Sequence, residues 1–489
     1  MSRVVVVGGG IGGLASAALL GRAGHRVTLL EANDRLGGKS RRIELEGRRV
    51  DTGPSLITFP GVWEELLRRW DAVGSDRAGI APGDWKRVAT PTSKGEFTEV
   101  AGIELERLPQ VGRYHYRGEA VSLPVEDGHP WRGAWERFAA IHGGLGPEVT
   151  RLLTADPVEW RTLPALGRLL RTYGTKLTTR SYLDGLPWLP EGLKEVIAIH
   201  ALNAGVAPTR TPALYASMPA IMASDGVFAP RGGVYEVVLA LERLALHAGV
   251  EVRTGEPVCG IEAGRVATVE AEYRTDAVVS ALDASRLEAL LDPGKKRSAQ
   301  RLSCSGVAVY AALREELPTR VPAHSVVLPS DPSALYASLE AGEEPEETMA
   351  FVNYYRAGEV YPNDGGTLAV LLTAPANGRE YGLEEPFVER EIARVSRAVG
   401  LPGPATDYVG EHEVLHPRYF GAWGSAGGAL YGEARPFWRS GPLHRPRYSE
   451  GRRTWLWRVG ASVHPGGGIP AVLGGAMIST GRLLRSLVK

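Results

Sequence analysis

VVVVGGGIGGLASAALLGRAGHRVTLLE, residues 4–31, decides how the rest of the chain is read. Val4 to Val7 are four consecutive β-branched residues, the mark of a parallel strand buried on both faces. Gly8, Gly10 and Gly13 follow and open a helix. Gly8 makes a tight turn, Gly10 lets the backbone approach a pyrophosphate, and Gly13 lets the helix pack closely on the strand. The pyrophosphate belongs at the helix N-terminus, where unpaired N–H groups and the helix dipole favour negative charge. Arg26 to Leu30 reads as the second strand and ends at Glu31, 18 residues beyond Gly13. An acid there suits a ribose with free hydroxyls and repels a 2′-phosphate. A GxGxxG alone also fits an ordinary glycine-rich turn, but strand, turn, helix, strand and acid in this order select the dinucleotide reading.

With 489 residues the chain is too long for one ordinary core, so two or three domains are expected. At 44% hydrophobic and 23% charged it has the composition of a folded chain, not a disordered one. Lys plus Arg and Asp plus Glu both number 56, which leaves no net field to recruit nucleic acid. Cys259 and Cys304 are the only cysteines, too few for a disulfide scaffold or a cysteine metal site, and a reducing cytoplasm is expected. Two uncharged stretches mimic membrane segments. Val4 to Gly21 contains six glycines and the nucleotide motif, and Val459 to Gly481 is interrupted by Pro465, Pro470 and many glycines. No transmembrane segment, internal repeat or long low-complexity tract is expected.

The nucleotide region returns later in the chain. Gly226 to Val234 leads into Tyr235 to Ala248, which is apolar at helical spacing. Val250 to Arg253 and Glu256 to Ile261 read as strands, and Val266 to Glu272 and Ala277 to Ala281 continue the β pattern to Asp283. This region is expected beside an adenosine, with Val258 at the adenine; an ordinary surface βαβ unit is the alternative. WLWRVGASVHPGGGIPAVL, residues 455–473, reads as a strand, a glycine-rich turn and a helix starting near Ile469, whose N-terminus faces the cofactor. The expected fold class is α/β. A discontinuous Rossmann-type nucleotide domain takes residues 1–84, 226–284 and 451–489, and an inserted mixed α+β substrate domain takes 85–225 and 285–450, with strands at Gly306–Leu313 and Thr367–Thr373.

Arg35-Leu-Gly-Gly38-Lys39 resembles the second glycine pair of the flavoprotein superfamily that includes amine oxidases and carotenoid desaturases. NAD dehydrogenases generally lack it. Taken with DTGPSLITFPGVWEELL at Asp51 to Leu67, PRGG at Pro230 to Gly233 and the motif at Val459 to Gly481, the chain resembles the bacterial carotenoid desaturases of the phytoene desaturase and hydroxycarotenoid 3,4-desaturase type. The motifs span nearly the whole chain in the right order. The resemblance implies a non-covalent FAD, a long polyene substrate (phytoene or a hydroxylated carotenoid) taken from a membrane, and removal of two hydrogens across a C–C bond. The positions it implies for FAD are Gly8, Gly10, Gly13, Glu31, Arg35, Gly38, Lys39, Pro54, Ser55, Val258, Asp283, Gly460, Ala461, Gly468, Ile469 and Pro470. Lys39 stands where arginine is commoner, which keeps the charge and gives up a bidentate phosphate contact. Gly467 and Ala471 replace the Ala and Gly expected of phytoene desaturases, which points away from phytoene itself.

In such chemistry the flavin accepts hydride, and the protein positions the chain and excludes water. Eleven scattered histidines give no metal spacing and no Ser/His/Asp or Cys/His order stands out, so no catalytic residue is assigned. His464 lies in the flavin-facing motif, where a turn histidine bonded to backbone competes with a proton-transfer role. Asp51 is read as ordering the turn to Gly53, with cofactor contact the minor alternative. Trp160 to Leu183 holds Arg161, Arg168, Arg171, Lys176 and Arg180 and no acid. Leu163, Leu166, Leu169, Leu170, Tyr173 and Leu177 interleave at roughly helical spacing. Such a segment lies on an anionic membrane or packs against a domain with a solvated face. The resemblance implies peripheral association with the inner face of the cell membrane, and nothing in the sequence specifies an oligomeric state. Other readings on the same fold are a polyene isomerase or ketolase, a non-enzymatic polyene carrier, and an amine oxidase. A covalent flavin of the amine oxidase kind is excluded because no cysteine follows Cys304.

Overall fold

Four valines buried on both faces demand a central strand, and Arg3–Val7 is one. It pairs in parallel with Arg26–Leu30 on one side and Ala277–Ser280 on the other. The computed structural model describes residues 1–74, 102–294, 301–439 and 443–487. The first sheet runs Ser449–Glu450, Arg453–Arg458, Ala277–Ser280, Arg3–Val7, Arg26–Leu30 and Glu251–Arg253. All its pairings are parallel except that of Ser449–Glu450. Strands from three separated stretches of chain therefore meet in one sheet. The helix Ile11–Arg22 is buried at every residue, as a helix apolar on all sides must be. It packs against Glu236–His247 and Ile469–Leu487; these begin or end within a residue of the expected positions.

The β pattern from 250 to 281 divides in a way the sequence does not reveal. Glu251–Arg253 and Ala277–Ser280 enter the parallel sheet, while Val258–Glu262, Arg265–Thr268 and Glu272–Arg274 form a separate antiparallel sheet. Val258, Ile261 and Val266 close over Val5, Val7 and Leu30, so the small sheet buries the second face of the valine strand.

A seven-stranded sheet runs Val409–Leu415, Ser305–Leu313, Thr367–Ala374, Ala350–Tyr355, His324–Val327, Gly112–Tyr116 and Glu119–Leu123. Ser305–Leu313 is buried at every residue. The expected strands at Gly306–Leu313 and Thr367–Thr373 are present, each one residue longer. The hairpin Arg41–Leu45 and Arg48–Thr52 joins this sheet to the nucleotide edge, with Gly53 N donating to Tyr310 Oη at 2.9 Å.

Trp160 to Leu183 is not one amphipathic helix. A short 3-10 turn at Trp160–Thr162 leads into the helix Leu163–Tyr173, and Gly174 stops it at φ +57°. Thr178 then starts the helix Thr179–Asp184 with a reciprocal Ser181 cap. Among the described residues no helix is long and apolar enough to cross a membrane.

Candidate functional site

The carboxyl edge of the parallel sheet carries the glycine loop. Gly8 sits at φ +97° and its N–H donates to Leu30 O at 2.8 Å, a turn that L side chains strain. A Cβ on Gly13 would lie 2.0 Å from Gly8 O, so only glycine lets the helix close on the strand. Gly10 differs: a Cβ there would meet nothing of the protein nearer than Gly38 Cα at 3.9 Å. Here the need for glycine comes from whatever occupies the open space, and the first-turn N–H groups of Ile11–Arg22 have no side-chain cap. The cradle fits a pyrophosphate.

Glu31, only 6% exposed, accepts from Gly9 N at 2.7 Å and from Asn33 N at 3.0 Å. Its carboxylate thus shapes the loop. Gly255 N and Glu256 N donate to Asn33 O and Glu31 O at 2.7 and 2.8 Å, which brings the segment before Val258 beside Glu31.

The second glycine pair lies over the first. Gly37 N donates to Gly9 O at 2.9 Å, and a Cβ on Gly38 would stand 3.2 Å from Gly10 Cα. Arg35 is exposed, its Nη1 3.4 Å from Arg42 O.

Asp51 orders more than the turn to Gly53. Its carboxylate accepts from Arg42 Nε at 2.7 Å, Arg42 Nη2 at 3.3 Å and Tyr235 N at 2.8 Å. A Cβ on Gly233 would lie 2.0 Å from Asp51 Oδ2. Asp51 therefore fastens the loop carrying Pro54 and Ser55, both half-buried, to the PRGG turn. Burial raises the Asp51 carboxyl above its ordinary pKa despite the Arg42 contact. Burial also opposes the charge on Arg42, but its bonds to Asp51 and Glu236 outweigh this and raise the guanidinium.

On the other side of the edge Gly460 turns at φ +92°, and a Cβ on Gly12 would come within 3.1 Å of Gly460 N. Ala461 is half-buried, and the next residue, Ser462, accepts from Ala284 N at 2.9 Å through Oγ. Asp283 is occupied by the protein: it caps the helix Ala284–Leu291 and accepts from Ser425 Oγ at 3.3 Å. Gly468 turns at φ +88° into the helix begun by Ile469 and Pro470. A Cβ on Gly467 would strike Tyr431 at 2.4 Å, so the glycine that departs from the expected motif makes room for an aromatic ring.

Sequence reasoning missed the segment Leu430 to Arg435. Lys39 Nζ donates to Leu430 O at 2.9 Å, and Arg435 Nη2 donates to Ser462 O at 3.0 Å. The segment has no periodicity and none of the signature residues, so nothing in the sequence marks it. Arg42 and Tyr235 were missed for a related reason: their roles rest on contacts to distant chain.

Two histidines of the cleft, His464 and His444, are neutral at physiological pH. Burial holds His464 down to about 4 and His444 to about 3. His464 O accepts from Tyr448 Oη at 2.8 Å; its ring is bonded to the Leu152 backbone, and its buried Nε2 has no hydrogen-bond partner among the described residues. His142, fully buried, pairs Nδ1 with Ser217 Oγ at 2.7 Å and Nε2 with Tyr182 Oη at 3.0 Å, and burial holds it down to about 4.

Such an edge, with two glycine loops, an acid at the second strand and a second glycine turn at the last strand, defines a dinucleotide-binding oxidoreductase. Residues 11–396 match the flavin containing amine oxidoreductase family, and the chain belongs to it. The cofactor is accordingly the flavin dinucleotide FAD. The chain is 28% identical to a zeta-carotene-forming phytoene desaturase of Myxococcus xanthus, over 99% of this chain and 94% of that protein. It is likewise 28% identical to a hydroxyneurosporene desaturase of Rhodobacter capsulatus, over 96% and 95%. Among solved structures it superposes on putrescine oxidase bound to putrescine with a TM-score of 0.61 at 15% identity, covering 100% of this chain and 99% of that one.

Proposed function

We propose that this protein is an FAD-dependent carotenoid desaturase that introduces C=C bonds into a long polyene, working from a membrane surface. Full-length similarity to curated carotenoid desaturases carries the reading, and the cradle around Gly10 agrees with it. When bound, FAD supplies the acceptor for the two hydrogens removed from the C–C bond. The residues that hold it are Gly8, Gly10 and Gly13 at the pyrophosphate, and Glu31 with the segment at Val258 at the adenosine. Pro54, Ser55 and the turn from Gly460 to Pro470 lie toward the other half. The domain division given above, two nucleotide and substrate units of discontinuous chain, is part of the same proposal.

The protein's own contribution is positioning. Asp51, Arg42 and Tyr235 tie the two glycine-bearing loops into one rim, and burial keeps His464 and His444 neutral at physiological pH. Substrate orientation and exclusion of water therefore matter more than acid–base assistance.

The membrane reading is supported by an exposed apolar band. Trp160 is 74% exposed, Leu163 63% and Leu170 66%, with Val158, Leu166 and Leu177 also exposed. In the helix Leu163–Tyr173, Ala165 and Tyr173 point inward while Leu163, Leu166 and Leu170 point out. Eleven residues reach about 16 Å, which suits a helix lying in the interface and not across it. The charge count is smaller than the linear sequence suggests. Arg168 pairs with Glu148 and Arg180 with Glu195, and the Arg161 side chain lies outside the described residues. Arg171 and Lys176 are exposed cations beside the band that form no ion pair among the described residues.

The test is expression in bacteria that accumulate phytoene, neurosporene or hydroxylated carotenoids, with the pigments read by absorption and mass. Each desaturation lengthens the conjugation and removes two hydrogens. Unchanged pigments in every host, with FAD bound, reject the desaturase reading. A gain of oxygen mass selects a ketolase, and oxidation of amines by the purified protein selects an amine oxidase.

A further inference from the structure

Lys39 is the member of the cradle for which the protein provides too few partners. Its carbonyl lies 2.4 Å from where a Cβ on Gly53 would be, so the backbone passes directly under the Asp51–Ser55 loop. Nζ donates to Leu430 O at 2.9 Å, its one hydrogen-bond acceptor among the described residues. An ammonium has three donors, so two remain. Burial lowers its pKa, and the nearby charge of Asp283 offsets this only in part. A half-buried charge with one partner is costly unless something compensates it.

The direction of the side chain says what that is. The strand order places the adenosine half toward Glu31, at the end of Arg26–Leu30, and the pyrophosphate over Gly10, at the end of Arg3–Val7. A dinucleotide lying along the carboxyl edge then carries its second half over Ala277–Ser280 and Arg453–Arg458. Leu430 belongs to that second half. The next residue, Tyr431, packs against Gly467, and a Cβ on Gly432 would lie 3.9 Å from Asp283 Oδ2. Arg435, from the same segment, spans Ser462 O and His444 Nε2 and keeps a buried Nε with no partner. This wall of the cleft therefore brings the cations Lys39 and Arg435 together with the acids Asp283 and Glu433 on the side away from the adenosine.

We infer that Lys39 delivers its charge to the flavin ring and not to the pyrophosphate, where it stabilises the negative charge of the reduced ring and makes bound FAD easier to reduce. The inference rests on FAD occupying the cradle as proposed above. A fixed cation at the ring costs no reorganisation when charge develops, and the Leu430 carbonyl holds it in place.

The two destinations separate in binding and potential measurements on Lys39→Met and Lys39→Arg. ADP-ribose, which has the adenosine and pyrophosphate but no ring, is titrated into apoprotein. FAD is titrated in parallel, and the midpoint potential of bound FAD is read by dye equilibration. We expect Lys39→Met to bind ADP-ribose as the unchanged protein does, while its preference for reduced over oxidised FAD falls about tenfold, the scale of one charge-assisted hydrogen bond. That is a potential about 30 mV more negative for a two-electron couple. Lys39→Arg should recover most of the shift. An unchanged potential in Lys39→Met overturns the inference whatever the ADP-ribose result, and a tenfold or greater loss of ADP-ribose affinity places the charge on the pyrophosphate instead, on the scale of one lost charge-assisted contact, about 1.5 kcal/mol or more. If Lys39→Met shows no cooperative melting, Lys39→Gln takes its place with the same expectations. Failure of the unaltered protein to bind FAD would sink the functional reading and not the assignment of Lys39 alone.

Discussion

Replacing Arg171 and Lys176 by Gln should weaken binding to anionic vesicles by roughly 30-fold and leave the flavin content unchanged. Both side chains are exposed next to the helix Leu163–Tyr173, while Arg168 is engaged by Glu148 at 2.8 Å and Arg180 by Glu195 at 2.7 Å. A basic side chain near an anionic leaflet contributes about 1 kcal/mol, so losing two costs about 2 kcal/mol, or roughly 30-fold in partition. The apolar contribution is larger. Leu163 and Leu170 are each about two-thirds exposed, and burying a leucine contributes about 1.5–3 kcal/mol. Leu163→Gln with Leu170→Gln should therefore cost about 3 kcal/mol or more at any salt. Co-sedimentation with phosphatidylglycerol-containing vesicles across a salt series separates the two effects. The charge effect should vanish as the Debye length shrinks from about 10 Å at 0.1 M to about 3 Å at 1 M, and the leucine effect should persist. Equal sedimentation of the unaltered protein, the charge variant and the leucine variant would refute docking through this band, and the polyene would have to enter by another face.

Gly10→Val should abolish FAD binding in a protein that still melts cooperatively, because the added side chain meets open space and not the protein, its nearest neighbour for a Cβ being 3.9 Å away. Gly13→Val should instead fail to fold or melt far lower, since its Cβ would sit 2.0 Å from Gly8 O; thermal melts with and without FAD tell the two apart. Glu31→Ala should weaken FAD by about 1–3 kcal/mol through lost acceptors, and an unchanged dissociation constant by calorimetry would confine Glu31 to holding the Gly9 and Asn33 N–H groups. Acid stability should follow the buried histidines. His142 has an ordinary pKa of 6.5 when unfolded and about 4 when folded, so the unfolded state takes up protons first as pH falls. The stability His142 contributes is complete above 6.5 and lost downward through 4, approaching about 3 kcal/mol at pH 4. His142→Phe should flatten that limb of a denaturation series, and an unaltered slope would exclude His142 as its source.

The glycine loop was legible because each of its constraints is local. A β-branched run, a turn at positive φ and a helix–strand clash act within about ten residues, and Glu31 stands at the end of the strand paired to the first, so spacing alone locates it. The helix starting at Ile469 was equally readable, since glycine turn and apolar helix adjoin. Asp51 shows where this stops. As a residue two before a glycine it reads as a turn former, yet its carboxylate binds Tyr235 N, 184 positions away, and Arg42 on the opposing strand. The basic stretch after Trp160 failed in the same way: it contains no acid of its own, but Glu148 and Glu195 arrive from neighbouring helices and take up two of its charges.

The sequence by itself determined the parallel sheet, the glycine loop and the class of cofactor, because backbone geometry and side-chain periodicity are short-range properties. Only the tertiary structure decided which charges are paired, which residues lock the rim, and which distant segments meet at the cleft. Lys39 meets Leu430 across 391 positions; packing of the apolar core brings them together, and no local pattern encodes that distance.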